Sequence, residues 1–132
     1  MKHEIVQPAD WAPPLGYANG IKTRSGQLHI GGQIGWDGQK QFVSDDFVEQ
    51  LQQALTNIRT IVETAGGRAE DVVRMTWFVT NKAEYLARQA EVGRAYRSVF
   101  GKHFPAMSML VVAGLIEDRA LVEIEATAEI SG

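Results

Sequence analysis

Hydrophobic and polar residues alternate along this chain in two different rhythms. Gln7–Gly16 holds three of the four prolines, Pro8, Pro13 and Pro14, and reads as an extended lead-in. Ala18–Thr23 and Gln27–Ile34 flank Arg24-Ser25-Gly26, which predicts a hairpin. Gly31-Gly32 inside the second run predicts a bulge or a close approach to the backbone. After a polar loop from Gly35 to Val43, Ser44-Asp45-Asp46 can cap a helix. Phe47, Leu51, Ala54, Leu55, Ile58, Ile61, Val62 and Ala65 then recur at spacings of three and four, one helical face. Gly66-Gly67 stops it.

Asp71–Thr80 is rich in β-branched and aromatic residues and predicts a buried strand. Asn81, with Glu84 three positions on, resembles a capping box. The helix it opens carries Leu86, Ala90, Gly93, Tyr96, Val99 and Phe100 on one face and ends at Gly101. A strand over Ala106–Ala113, a turn at Glu117-Asp118-Arg119 and a strand over Ala120–Ile130 complete the series. The order ββαβαββ, with hairpins at both ends, predicts an α+β fold. It is a mixed sheet with two helices on one face, in one domain over residues 1–132.

The last strand divides cleanly. Val122, Ile124, Ala126, Ala128 and Ile130 point one way; Leu121, Glu123, Glu125, Thr127 and Glu129 point the other. The spacing is compatible with a solvated carboxylate face. It is also compatible with a face covered by another subunit, where Glu123 would have a perturbed pKa. The neighbouring run Met107–Val112 is apolar on both faces, and helices can cover only one of them. A second copy of the chain is the economical cover.

Composition narrows the chemistry. Apolar residues make up 45% and charged residues 22% of the chain, as in ordinary globular proteins. Thirteen Lys and Arg stand against sixteen Asp and Glu, so a nucleic-acid partner is not expected. The absence of cysteine excludes disulfides and thiol catalysis and fits a cytoplasmic protein. Met1-Lys2-His3-Glu4-Ile5 has no long apolar run, so neither a signal peptide nor a membrane anchor is expected. His3, His29 and His103 lack ligand spacing, and no metal or other cofactor is expected. Gly31–Gly35 lacks the strand–turn–helix setting and lysine of a phosphate loop. Ser108 lacks the partners of a nucleophilic triad.

Several motifs then fall in a familiar order. Gly16-Tyr17, Gly31-Gly32-Gln33-Ile34, Phe104-Pro105-Ala106-x-Ser108 and Leu121-Val122-Glu123-Ile124-Glu125-Ala126, together with the run Asp71–Thr80, resemble the landmarks of the RidA/YjgF family over about residues 14–130. Each is weak alone; the ordered set is specific. The resemblance implies a chorismate-mutase-like fold and a homotrimer with clefts at its subunit interfaces. It also implies a small-molecule ligand and hydrolysis of reactive enamines or imines such as 2-aminoacrylate. Glu123 falls on the family's water-orienting glutamate, Tyr17 on its pocket tyrosine and Gly32 on a backbone contact point. Their plainer roles are a solvated carboxylate, a packing tyrosine and close strand packing.

Three positions depart from the family. Met107 stands where deaminases carry the arginine that anchors the substrate carboxylate, and a thioether cannot bind a carboxylate. Gly93 stands where many carry an asparagine, and Gly31 replaces a serine. Arg74, Arg119, Lys102 and His103 are candidate substitutes for the missing cation. The implied pocket is apolar, with Met107, Met109, Trp77 and Trp36 at its walls, unless these side chains serve core or subunit packing. Two functional expectations follow: an enamine or imine hydrolase that does not take the usual small imino acid, or a binding module without catalysis. A degradative deaminase of a larger compound such as 2-aminomuconate is a third. The ribonuclease role ascribed to some members gains little support from the acidic balance.

Overall fold

The computed structural model describes residues 2–131; Met1, part of the opening run read above, and Gly132 lie outside them. Strands β1 (Glu4–Val6), β2 (Gly20–Lys22), β3 (Gln27–Ile34), β4 (Val72–Val79), β5 (Ala106–Val111) and β6 (Val122–Glu129) form one sheet. Their order across it is β1-β2-β3-β6-β4-β5. Only β4 and β5 run parallel; the other neighbours are antiparallel. Helices α1 (Phe47–Thr64), α2 (Lys82–Ala87) and α3 (Gln89–Phe100) complete the α+β architecture, and α1 and α3 pack on one face of the sheet. Among the described residues no helix is long and apolar enough to cross a membrane.

Helix α1 follows its expected face closely. Asp46 caps it by accepting from the Glu49 amide at 3.0 Å. Leu51, Leu55, Ile58 and Ile61 are wholly buried, each contributing about 1.5–3 kcal/mol of transfer free energy. Two polar residues are buried with them. Gln50 donates to the carbonyls of Ser44 and Arg119 and accepts from the Leu121 amide. Asn57 donates to the carbonyls of Ile34 and Trp36. Both amides fasten loops to the helix, and neither leaves a buried dipole unpaired. Gly35 permits this approach, since a Cβ there would collide with the Gln50 side chain.

Three expectations are corrected. The chain from Asn81 to Phe100 is not one helix. It breaks at Arg88 (φ −121°, ψ 27°), whose guanidinium reaches Asp46 at 2.8 Å and Glu91 at 2.6 Å. The break rotates the buried face, so Val92, Ala95, Tyr96, Val99 and Phe100 are buried while Leu86 is exposed. The second hairpin does not form either. β5 pairs with β4, and β6 inserts between β3 and β4, which buries the apolar half of β6 against α1. Finally, β1 adds a short edge strand beside β2 within the segment before Gln7.

Candidate functional site

The alternation along β6 holds as expected. Val122, Ile124, Ala126 and Ala128 are buried under the helices, and Glu123 and Glu125 project from the opposite face. The strand beside Glu123 carries the irregularity announced by its glycines. Ile30 pairs with Ala126 and Gln33 with Ile124, so Gly31 and Gly32 share one position of the ladder. The Glu123 carboxylate lies directly over this bulge. A Cβ on Gly32 would sit 2.6 Å from Glu123 Cδ, so only glycine lets the side chain rest there.

The bulge is held from behind by side-chain amides. The Gly31 amide donates to the Asn19 carbonyl at 2.9 Å. Gln33 Nε2 donates to the Gly31 carbonyl and to Asn19 Oδ1, both at 3.1 Å. Asn19 Nδ2 in turn donates to Gln7 Oε1 at 2.9 Å. Gln33 and Asn19 are buried. Nothing in the hydrophobic pattern singled them out; two polar residues inside strand segments beside a glycine pair were the available signal.

In front of the bulge lies a cleft of about 370 Å³. Tyr17, Gly32, Ile34, Trp36, Ile116 and Glu123 are among the side chains and backbone that line it. Trp36 is held by its tilted contact with Phe42, 5.7 Å between centroids, and by Asn57 on its carbonyl. Tyr17 carries Lys40 Nζ 5.8 Å from its ring centre, and Lys40 donates to the Pro13 carbonyl. The loop after β5 supplies Leu115, Ile116 and Glu117, three residues sequence reasoning did not pick out. Desolvation holds the Glu123 carboxyl above the usual carboxylate range, and the charge of Glu125 adds to this.

The cleft therefore unites Tyr17, Gly32, Trp36 and Glu123, and leaves out Met107, Met109 and Trp77. Met107 pairs with Met75 and Met109 with Trp77. Both methionines thus share the helix-side face, opposite to that of Glu123. Met107 is also two strands across and three residues along from Glu123's row, roughly 14 Å away. Trp77 is buried against Tyr96, 6.2 Å between centroids, and its indole N–H has no partner among the described residues. The candidate replacement cations are elsewhere. Arg74 donates to Ser108 on the open face, Arg119 pairs with Asp45, and the His103 ring meets the Val72 carbonyl. Lys102 lines a separate groove with Arg97 and Arg59, on α3 and α1, and Gly93 lies beside the Arg97 guanidinium. None of the described residues lining the Glu123 cleft is basic.

A mixed sheet with helices on one face and a glutamate over a glycine bulge on the other defines a recognisable class. The family model described as Endoribonuclease L-PSP matches residues 9–130, and the chain belongs to this RidA/YjgF family. It is 32% identical over 127 residues to a RutC family protein of Pyrococcus horikoshii, covering 95% of this chain and 96% of that one. It is 36% identical over 115 residues to 2-iminobutanoate/2-iminopropanoate deaminase of Salmonella typhimurium, covering 85% of each. The structure of E. coli TdcF with bound serine superposes with a TM-score of 0.82 at 30% identity, covering 97% of this chain and 99% of that one.

Proposed function

We propose that this protein hydrolyses an enamine or imine in the Glu123 cleft, and that its substrate is not a small imino acid anchored by its carboxylate. The observation that carries the reading is a desolvated carboxylate resting on a glycine bulge in a cleft lined by Tyr17 and Trp36. A carboxyl group whose pKa is raised by desolvation is a stronger base than an exposed carboxylate, and can take a proton from water and return it. Glu123 removes one proton from a water whose oxygen bonds to the imine carbon. The carbon–nitrogen π electrons go to nitrogen, which takes a proton from solvent or Glu123. The resulting carbinolamine collapses to a carbonyl compound and ammonia. The Tyr17 hydroxyl orients the substrate. The imine deaminase from Salmonella and the serine complex of TdcF support a small-molecule ligand at this fold.

The assembly proposed is a homotrimer in which a neighbouring copy closes the cleft. Met107, Leu110 and Val111 leave apolar surface exposed on both sides of the edge strand β5, an edge that suits burial against another subunit. In such an assembly the exposed Met107 is available to approach a neighbour's cleft, which it does not reach within one chain, while Met109 packs against the core. The test is ammonia release from 2-aminoacrylate generated in situ and from larger, less charged enamines. No release from any of them, or an unchanged rate in Glu123→Ala, would overturn the reading. A monomer in sedimentation would overturn the trimer.

A second reading, a binding module without turnover, is favoured by the absence of a basic residue among the described residues lining the cleft and by Met107. Thermal stabilisation by an apolar ligand that is never turned over would support it. Met107→Arg separates the two: new imino-acid deamination in this variant would show that the machinery is intact and only the anchor is missing.

A further inference from the structure

Two carboxylates, Glu117 and Glu123, line the cleft, and none of its described lining residues is a lysine or arginine. The Lys40 ammonium donates to the Pro13 carbonyl and lies over the Tyr17 ring. It lines the adjoining recess with Trp11 and Asp37, not this cleft. A carboxylate entering here would bring a third negative charge into a partly desolvated space to which the described residues of this chain supply no counter-charge. A protonated amine or iminium meets the opposite situation, a charge-assisted hydrogen bond to Glu123 and attraction from Glu117.

Beside the polar Tyr17, Asn19 and Gln33, the walls include Ile34, Trp36, Leu115 and Ile116, which present apolar surface, and Ile116 is 96% exposed. Ile116 immediately precedes Glu117, which opens a turn closed by the Ala120 amide on the Glu117 carbonyl. Gln50 fixes the base of that turn by bonding the Arg119 carbonyl and the Leu121 amide. The Ile116–Glu117 pair is thus presented on a fastened loop, hydrophobic beside acidic.

From these placements we infer that the cleft selects cationic or neutral nitrogen compounds with an apolar body and rejects carboxylates, with Glu117 as the specificity-determining residue. The inference rests on reading the Glu123 cleft as the ligand site. It adds a charge filter that the hydrolytic reading does not require.

The test uses three probes of one shape and three charges: benzylamine, benzyl alcohol and benzoate. Their binding to the full chain is measured by calorimetry or ligand-observed NMR. Benzylammonium should bind at least about tenfold more tightly than benzoate, with the alcohol between them. Glu117→Lys, a change on an exposed turn, should shrink the benzylammonium-to-benzoate ratio about fivefold at low ionic strength and less at high salt. Glu117→Gln should shrink it by a smaller factor. Benzoate binding as tightly as benzylammonium would overturn the inference, and so would no binding by any probe or an unchanged ratio in Glu117→Lys. Enamine hydrolysis measured in parallel separates the two ideas. Charge-selective binding without ammonia release sustains the filter and removes the hydrolase. Turnover without charge selectivity does the reverse.

Discussion

Consider the methyl group that Gly32→Ala would add. Its carbon would lie 2.6 Å from Glu123 Cδ and 2.8 Å from Cγ, whereas carbon atoms normally stay about 3.5–4.0 Å apart. The carboxylate must therefore withdraw by roughly 1 Å. The backbone does not resist the change, because Gly32 is not among the residues with positive φ. What yields is the end of a flexible side chain. A rotamer shift there costs about 0.5–1.5 kcal/mol. The lost freedom of the unfolded chain returns about 0.4–1 kcal/mol. Net stability thus changes by no more than about 1 kcal/mol, a few degrees in Tm for a domain of this size. Catalysis should respond on another scale. Misplacing a reacting group by about 1 Å costs on the order of 100-fold, and losing a general base outright costs about 10²–10⁴-fold.

The assay is ammonia release from an enamine substrate, run beside thermal melts and an NMR titration of the Glu123 carboxyl. The expected result is a kcat/KM reduced about 100-fold, a nearly unchanged Tm and a Glu123 pKa falling back toward 4.5 as the group turns to water. A variant that keeps kcat/KM within about threefold while its Glu123 titration moves would refute the reasoning. The seat of the carboxylate over the bulge would then be irrelevant to turnover.

Other substitutions test the scaffold behind the cleft. In Glu123→Gln the sign follows from the raised carboxyl pKa. The folded wild type keeps its proton while the unfolded chain, titrating near 4.5, has lost it, so wild-type stability falls as pH rises through that interval. The glutamine variant should be the more stable at pH 7, and urea unfolding at pH 4 should show the difference gone; an equal gap at both pH values would exclude this account. Asn57→Ala strips donors from the Ile34 and Trp36 carbonyls. It should cost about 2–4 kcal/mol in urea unfolding and shift tryptophan emission. Tyr96→Phe removes the hydroxyl's 2.6 Å bond to the His103 carbonyl, at about 1 kcal/mol near neutrality. Burial pushes the Tyr96 hydroxyl up to about 12, while the unfolded tyrosine ionises near 10. Wild-type stability should therefore fall between those values, and the phenylalanine variant should lack that fall in alkaline melts.

Local periodicity carried most of the fold into view. The α1 face and the alternation of β6 are one-dimensional signals, because each residue's environment is set by its own helix or strand. Pairing partners are not. The expected hairpin between β5 and β6 failed because the strongest site for the apolar half of β6 lies between β3 and β4, a choice made by distant residues. The break at Arg88 depends on Asp46, far off in sequence and close in space. In the candidate site, the proximity of the glycine pair and Glu123 was legible because one bulge and one strand face bring them together. Glu117 and the Asn19–Gln33 amides were not, since a loop's position and a buried amide's partners leave no period. Met107 and Trp77 stood in motifs beside Glu123's, yet sheet parity put them on the other face.

The central place of β6 also bears on how the protein is made. During translation β3 and β4 leave the ribosome well before the strand that separates them. Until β6 arrives, two facing strand edges stand open and α1 has only part of the sheet to rest on. The two halves of the sheet, β1-β2-β3 and β4-β5, are therefore joined only by the last strand. A chain cut short before Val122 would hold every element but the last strand, with the facing edges of β3 and β4 unpaired.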